Sequence, residues 1–286
     1  MDDDGSTSYV KKCGFSDLYG SAIAVRLTNG LQIEDNVAFR SYDSSNFVID
    51  GGSNISLSRN LAIGAHLERA VTDDLYSISF RISYFPANFE VKNTVGPIRI
   101  QDNAAAGSYV LGFNIVGDDC KAEERKVIGN EAHTNLVGVY FQNGYSPSNC
   151  ICIDNFKISR SWDYGILNQK SKHSIEVHNT VVAESKRGIL LNKVQKLPER
   201  GYTLINSTIV APFGALPAIC IEPPNKQAFR RHSYTEKSPI VGIVASSFSP
   251  SFGIGPPRKA WDQVSSARLD LELSTLLTEK LVSTVM

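Results

Sequence analysis

Acidic residues provide the first candidates for chemistry in this chain, and the five candidate acids are Asp118, Asp119, Glu131, Asp163 and Glu176. A glycosidase needs two carboxylates about 5–10 Å apart. A polysaccharide lyase needs carboxylates for Ca²⁺ and a basic group that accepts a proton. No spacing among the five acids selects a pair, and the order Gly117-Asp118-Asp119 favours a turn. The acids therefore leave a carbohydrate-active enzyme as an alternative, and no catalytic residue is assigned.

The histidines and cysteines have no metal-ligand spacing, so neither a metal nor a cofactor is expected. The five histidines are His66, His133, His173, His178 and His232, and we expect them at the surface or at strand edges. The five cysteines are Cys13, Cys120, Cys150, Cys152 and Cys220. Their number and spacing do not settle the redox compartment.

Two aromatic residues and two glycosylation sequons are candidates for surface recognition. Trp162 and Tyr164 alternate along a predicted strand and so share a face. We favour the core for this pair, but facing outward it would contact a sugar ring, which makes both residues carbohydrate-contact candidates. The sequons are Asn54-Ile-Ser56 and Asn206-Ser-Thr208.

The elements that carry these residues follow from an internal repeat. Seven short frames of six residues each place an asparagine three residues after their first position, usually with apolar residues close by. These asparagines are Asn36, Asn60, Asn103, Asn130, Asn155, Asn179 and Asn206. Successive positions differ by 24, 43, 27, 25, 24 and 27 residues. Between them recur short strands such as Leu111–Val116 and Val137–Gln142. A fixed period of this length indicates a solenoid, and the short strands predict an all-β, right-handed parallel β-helix of about seven or eight coils.

This period also predicts the domain boundaries. Residues 1–26 are an N-terminal segment or partial coil, and residues 27–250 are the β-helix. The long interval indicates an inserted loop near 65–92. Residues 251–286 form a tail that is either a capping helix or an irregular end.

The repeated asparagines are predicted to be structural. A corner of each coil needs a tight turn, which asparagine tolerates well. Buried amides stacked from coil to coil would satisfy one another in an asparagine ladder. Asn206 would then be buried and unmodified, which leaves Asn54 as the glycosylation candidate.

Composition limits the partners and the compartment. The chain has 29 basic and 29 acidic side chains, so it has no net field to attract nucleic acid or an anionic membrane. No stretch reaches the roughly 20 apolar residues of a membrane span, and the acidic start is not a signal peptide. Taken literally this indicates the cytoplasm; the alternative is an internal piece of a longer secreted chain.

Several strings occur in an order that resembles the fibrocystin and fibrocystin-L ectodomain. They are Asn103–Gly107, Gly112–Cys120, Asn130–His133, Gly138–Phe141, Trp162–Ile166 and Val241–Val244. The resemblance covers residues 27–267, and Trp162–Ile166 is its most specific string. It implies a β-helix region of a very large, membrane-anchored cell-surface protein.

The same resemblance implies a disulfide between Cys120 and Cys150, because the family has cysteines flanking that coil. The expected function is a non-enzymatic extracellular β-helix module that binds a carbohydrate or an extracellular protein ligand, or acts as a scaffold. The alternative is a polysaccharide lyase or a hyaluronan or pectin hydrolase. A relative of the family that degrades hyaluronan shares the β-helix.

Overall fold

The structure is a computed structural model in which the described residues are 8–66, 86–142, 148–168, 173–192, 202–211, 219–222, 240–241 and 244–247. Within these ranges every regular secondary-structure element is a β-strand. No helix in the described part of the chain is long and apolar enough to cross a membrane.

Each coil contributes up to three strands. The first three coils contain β1 (Ser8–Lys11), β2 (Gly14–Leu18), β3 (Ile23–Arg26), β4 (Leu31–Glu34), β5 (Val37–Tyr42), β6 (Phe47–Asp50), β7 (Ile55–Ser58), β8 (Leu61–His66) and β9 (Ala87–Lys92). The next three contain β10 (Ile98–Gln101), β11 (Ala104–Ala106), β12 (Leu111–Ile115), β13 (Asp118–Asp119), β14 (Val127–Ile128), β15 (Glu131–His133), β16 (Val137–Phe141), β17 (Cys150–Asp154), β18 (Lys157–Ser159) and β19 (Tyr164–Asn168). The last contain β20 (Ser174–His178), β21 (Val181–Ala183), β22 (Arg187–Asn192), β23 (Tyr202–Ile205), β24 (Thr208–Ala211), β25 (Ile219–Glu222), β26 (Ile240–Val241) and β27 (Val244–Ser247).

The strands stack into three parallel sheets, which confirms the predicted parallel β-helix. The first sheet follows β1-β4-β7-β10-β14-β17-β20-β23-β26, the second follows β2-β5-β8-β11-β15-β18-β21-β24-β27, and the third follows β3-β6-β9-β12-β16-β19-β22-β25. The third sheet has 8 strands, so eight of the described coils have one strand in each of the three sheets. Strands β26 and β27 belong to a further coil. The short strand β13 is the exception, because it pairs antiparallel with β17.

The core lies inside the coils and consists of columns of like residues. Alternate residues of each strand point inward, and strand pairing in register places them above one another. Phe47, Phe89 and Phe113 form one such column, with neighbouring ring centroids 5.0 Å apart. All three are fully buried. Full burial of one such side chain contributes roughly 1.5–3 kcal/mol, so the column is a main source of stability in these coils.

A glycine recurs near the start of several third-sheet strands because a side chain does not fit there. A Cβ on Gly112 would lie 2.6 Å from the carbonyl oxygen of Gly138, and a Cβ on Gly138 would lie 2.6 Å from that of Gly165. Both distances are far below van der Waals contact. The repeated glycine therefore lets successive coils pack closely at this edge of the sheet.

The structure changes the expected boundaries at the N-terminal end and at the insertion. Residues 8–26 already form three strands, where only a segment or partial coil was expected. Strands β8 and β9 include residues at both ends of the predicted insertion, so only residues 67–85 remain as its central part. Those residues and the predicted tail at 251–286 lie outside the described part of the chain.

Candidate functional site

Four of the predicted ladder asparagines form one hydrogen-bonded column inside the corner between the first and second sheets. Asn36 Nδ2 donates to Asn60 Oδ1, Asn60 Nδ2 to Asn103 Oδ1, and Asn103 Nδ2 to Asn130 Oδ1, each at 3.0 Å. Each Oδ1 also accepts the backbone N–H of the asparagine in the preceding coil. The column therefore satisfies buried amides in the way that a folded interior requires.

The prediction is wrong for Asn155, Asn179 and Asn206. All three are exposed, with φ angles of 50°, 47° and 48°, at the outer corner beside the column. Glu131 pairs with Lys157, so the residue that continues the column after Asn130 is Phe156. Thr180 and Ser207 follow it, and Thr180 N–H donates to Ser207 Oγ at 3.3 Å. The sequence frame was one residue out of register in these coils.

This shift also reverses the expectation for the sequon at Asn206, whereas the expectation for Asn54 is unchanged. Asn206 was predicted to be buried, whereas the structure exposes it. Asn54 is exposed as well, and its Nδ2 donates to Asn29 Oδ1 at 3.0 Å. Both sequon asparagines are therefore accessible in the folded chain.

A second buried asparagine column lies at the corner between the second and third sheets, and the sequence reasoning missed it. Asn46 Nδ2 donates to Asn88 Oδ1 at 2.8 Å, and Asn88 Nδ2 donates to Asn135 Oδ1 at 3.3 Å. Intervals of 42 and 47 residues separate the three in sequence. The interval between Asn46 and Asn88 contains the insertion, and the interval between Asn88 and Asn135 spans a coil with no asparagine at this corner. The regular period that would have identified these asparagines is therefore not visible in the sequence.

A disulfide joins Cys120 to Cys150 across 30 residues of sequence, with their Cα atoms 5.4 Å apart. It fixes the segment around β13 against β17. Cys152, also on β17, is a buried free thiol, and burial raises its pKa to about 12. Glu176 lies close to both disulfide sulfurs. Because these sulfurs are bonded to each other, they are not thiolate ligands for a metal.

Asp118 and Asp119 organise the same segment. Asp118 Oδ2 accepts the backbone N–H groups of Lys126 and Val127, at 2.5 and 2.6 Å. Burial raises the pKa of Asp118, and these two hydrogen bonds oppose the rise. Asp119 accepts the N–H groups of Lys121 and Ser148, both at 2.8 Å. Both carboxylates therefore bind the protein's own backbone.

Glu131, Glu176 and the described histidines are spread over several coils, with Glu131 and His133 together on β15 and Glu176 and His178 together on β20. Glu131 is exposed on β15, and Glu176 on β20 has its Oε2 2.9 Å from Nε2 of His178. His66 stacks on Tyr42 with ring centroids 5.4 Å apart, and burial lowers its pKa. His133 and His173 are half-buried, and His232 lies outside the described residues.

One surface group combines an exposed aromatic side chain with a charged pair; it consists of Trp162, Asp163, Tyr164 and Arg187 and is called here the Trp162 cluster. Trp162 is 70% exposed, so the favoured core position is wrong for it, while Tyr164 is half-buried. The backbone N–H of Trp162 donates to the backbone carbonyl of Asn135 in the preceding coil, at 2.9 Å. The indole therefore extends from a corner whose backbone is tied to its neighbour.

Arg187 connects the charged and aromatic parts of the Trp162 cluster. Its Nη1 donates to Asp163 Oδ1 at 2.6 Å and to the Tyr164 hydroxyl at 2.8 Å. Its guanidinium carbon also lies 4.8 Å from the centre of the Tyr164 ring. Burial raises the pKa of Asp163, and the positive charges of Arg187 and Lys186 oppose the rise. The three side chains thus form a connected group, and the exposed Trp162 directly precedes it in the chain.

Comparison with known proteins gives similarity to one group of very large proteins. No protein-family model matches the chain. Fibrocystin-L of Mus musculus is 26% identical over 211 residues, 72% of this chain and 5% of that protein. Fibrocystin-L of Homo sapiens is 28% identical over 188 residues, 64% of this chain and 4% of that protein. Fibrocystin of Canis lupus familiaris is 25% identical over 257 residues, 85% of this chain and 6% of that protein. The chain therefore resembles a fibrocystin-like region that spans about one twentieth of these relatives.

Proposed function

We propose that this chain is a non-enzymatic extracellular β-helix module of a fibrocystin-like cell-surface protein, and that it binds a carbohydrate at the Trp162 cluster. The observation that carries the proposal is the 70% exposure of Trp162 beside an ordered Arg187–Asp163 pair. The similarity to fibrocystin and fibrocystin-L supports the fibrocystin-like assignment.

The exposed indole supplies the apolar part of a sugar site. Tryptophan combines a large apolar surface with one N–H donor, and such residues dominate the energy of binding surfaces. A pyranose ring presents an apolar face of C–H groups that can cover the indole. Water leaving both surfaces would then favour binding.

Arg187 and Asp163 supply polar partners for the hydroxyl or carboxylate groups of a sugar. A guanidinium has five N–H donors, and both described side-chain hydrogen bonds of Arg187 use Nη1. Its position is fixed by two neighbours on the preceding coil, so little side-chain entropy remains to be lost on binding. This preorganisation supports a binding site on the rigid face of the solenoid.

The positions of the candidate acids support binding without cleavage. A glycosidase needs one carboxylate to protonate the leaving group and another to act opposite it. Here Asp118 and Asp119 accept backbone N–H groups, and Asp163 pairs with Arg187. Each of these three acids thus has a structural role in holding backbone or side-chain groups of the fold.

The Cys120–Cys150 disulfide supports an extracellular location. Disulfides persist in oxidising compartments and are rare in the cytosol. The similarity to fibrocystin, a protein of which this chain covers a small part, points the same way. On this proposal the parent protein is anchored in a membrane and the β-helix lies outside the cell.

The test is a binding assay of the folded chain on immobilised polysaccharides that include hyaluronan and pectate. We expect Trp162→Ala to weaken retention about tenfold, which corresponds to about 1.4 kcal/mol. Tyr9→Ala is the matched control, because Tyr9 is 69% exposed in the first coil, away from the cluster. Equal affinities of the wild type and Trp162→Ala would refute the site. Retention of an extracellular protein but of no polysaccharide would refute the carbohydrate ligand.

A further inference from the structure

We propose that Asn206 accepts an N-linked glycan, a modification that the sequence pattern alone argued against. The inference rests on the extracellular location proposed above. Asn206 begins the sequon Asn206-Ser207-Thr208, and it lies in the turn between β23 and β24. The sequence frame placed this asparagine in the buried ladder, where a glycan could not fit. The structure places it outside.

The backbone around the sequon separates an inward from an outward residue. Ser207 is buried, and its Oγ donates to the carbonyl of Val177 at 3.2 Å and to that of Ile205 at 3.0 Å. Asn206 is exposed, with a φ of 48°, in a left-handed turn. Asparagine is one of the few residues that adopt this conformation readily. Ser207 therefore fills the ladder position, and Asn206 is directed away from it.

Exposure matters because the glycan is attached to Nδ2 and must remain in solvent when the chain folds. A true ladder asparagine fails this requirement. Asn130 is fully buried, and its Nδ2 donates to the carbonyl of Ile100 at 2.8 Å. A glycan there would block the stacking of successive coils, whereas a glycan on Asn206 would extend from the corner without displacing a ladder hydrogen bond.

The preceding coils show that this corner holds asparagines at the surface repeatedly. Asn155 and Asn179 occupy the same place, with φ angles of 50° and 47°. Neither begins a sequon, because Lys157 and Val181 stand where serine or threonine would be required. Among these three corner asparagines, Asn206 is the one that begins a complete sequon.

Asn54 is the natural comparison within the same chain. It is exposed, but its Nδ2 donates to Asn29 Oδ1 at 3.0 Å, and Ser53 Oγ donates to the same oxygen at 2.8 Å. Attachment of a glycan replaces one of the two Nδ2 hydrogens. Modification of Asn54 is therefore compatible with this network only when the remaining hydrogen points to Asn29.

A glycan on Asn206 would leave the Trp162 cluster accessible. Asn206 lies between a first-sheet and a second-sheet strand, and Trp162 lies between a second-sheet and a third-sheet strand. The two residues therefore lie at different corners of the solenoid. Asn206→Gln should remove the glycan and leave retention on polysaccharide unchanged.

The experiment expresses the full chain behind an added signal peptide in mammalian cells and maps glycans on the translocated protein by mass spectrometry after glycosidase release. We expect Asn206 to be occupied, and Asn206→Gln or Thr208→Ala to remove one glycan. Lys157→Thr is the matched control, because it completes a sequon at exposed Asn155 by changing an exposed side chain. That variant should gain a glycan at the same corner.

An unmodified Asn206 in translocated chain would overturn the inference, whether or not Asn54 or the Lys157→Thr variant is modified. Because the signal peptide is supplied, this result would leave the proposed location untouched. The location is tested separately by glycan mapping of the natural parent protein. Occupied Asn206 in the engineered chain together with a glycan-free parent would support Asn206 as an acceptor and refute the extracellular location.

Discussion

Replacing Asn60 by alanine should destabilise the solenoid more than most surface changes, because Asn60 makes four hydrogen bonds inside the column. Its Nδ2 donates to Asn103 Oδ1 at 3.0 Å and to the carbonyl of Ile33 at 2.8 Å. Its Oδ1 accepts the backbone N–H and the Nδ2 of Asn36, both at 3.0 Å. Alanine makes none of these contacts, and the site is only 1% exposed.

The magnitude follows from the partners that are left behind. The Asn36 backbone N–H loses its acceptor, and the carbonyl of Ile33 loses a donor. A buried polar group without a partner costs about 1–3 kcal/mol. Asn36 Nδ2 keeps the carbonyl of Val10 at 2.9 Å, which limits the loss. We therefore expect Asn60→Ala to lower the free energy of unfolding by about 2–4 kcal/mol.

Asn155→Gly is the control that separates the column from the outer corner. Asn155 is exposed and has a φ of 50°, a conformation that glycine adopts freely. We expect its free energy of unfolding to change by less than about 1 kcal/mol. Urea unfolding followed by circular dichroism measures both variants. A loss for Asn155→Gly as large as that for Asn60→Ala would refute the assignment of ladder and corner positions.

Three further predictions concern packing, pH and thiol chemistry. Gly138→Ala should lower the melting temperature, because the new Cβ would lie 2.6 Å from a carbonyl oxygen of the next coil. Gly14→Ala is the control and should leave the melting temperature unchanged, because a Cβ on Gly14 would have no atom within 4 Å. An equal change in the two variants would contradict the packing argument. Burial raises the pKa of Asp118 in the folded chain. The protonated carboxyl therefore stabilises the fold most at a pH below the ordinary pKa of 3.8, and this contribution is lost as the pH rises through the raised pKa. Asp118→Asn keeps an oxygen acceptor and should remove this pH dependence of the melting temperature; an unchanged profile would show that Asp118 does not cause it. The buried Cys152 should react with a maleimide only after the Cys120–Cys150 disulfide is reduced, because that bond holds the segment around β13 against the strand that carries Cys152. Mass spectrometry of the labelled peptides measures this, and a label on Cys152 before reduction would contradict the prediction.

The fold could be predicted because one coil imposes a nearly constant spacing on the sequence. Asn36 and Asn60 lie 24 residues apart, and the structure joins them directly. The register failed at Asn155 because two adjacent apolar residues, Cys152 and Ile153, both fit the start of the frame. Strand pairing resolves this choice, since Ile128 pairs with Asp154. Sequence spacing alone does not contain that information.

The position of Trp162 could not be predicted because the corner before β19 has one residue more than the coil below. In the second sheet His133 pairs with Ser159, 26 residues later, whereas in the third sheet Val137 pairs with Tyr164, 27 residues later. The regular alternation of inward and outward residues breaks at this point. A rule based on strand periodicity therefore assigned Trp162 and Tyr164 to one face, whereas only Tyr164 belongs to the strand.

The central claim is that the chain binds carbohydrate without cleaving it, and product size after incubation with hyaluronan and pectate tests it most directly. The folded chain is incubated with each polymer with and without Ca²⁺, and circular dichroism confirms β structure in the same sample. We predict polymers of unchanged size, retained by the wild type and released by Trp162→Ala. Shortened products that disappear in Asp163→Asn would contradict the account and make the chain an enzyme.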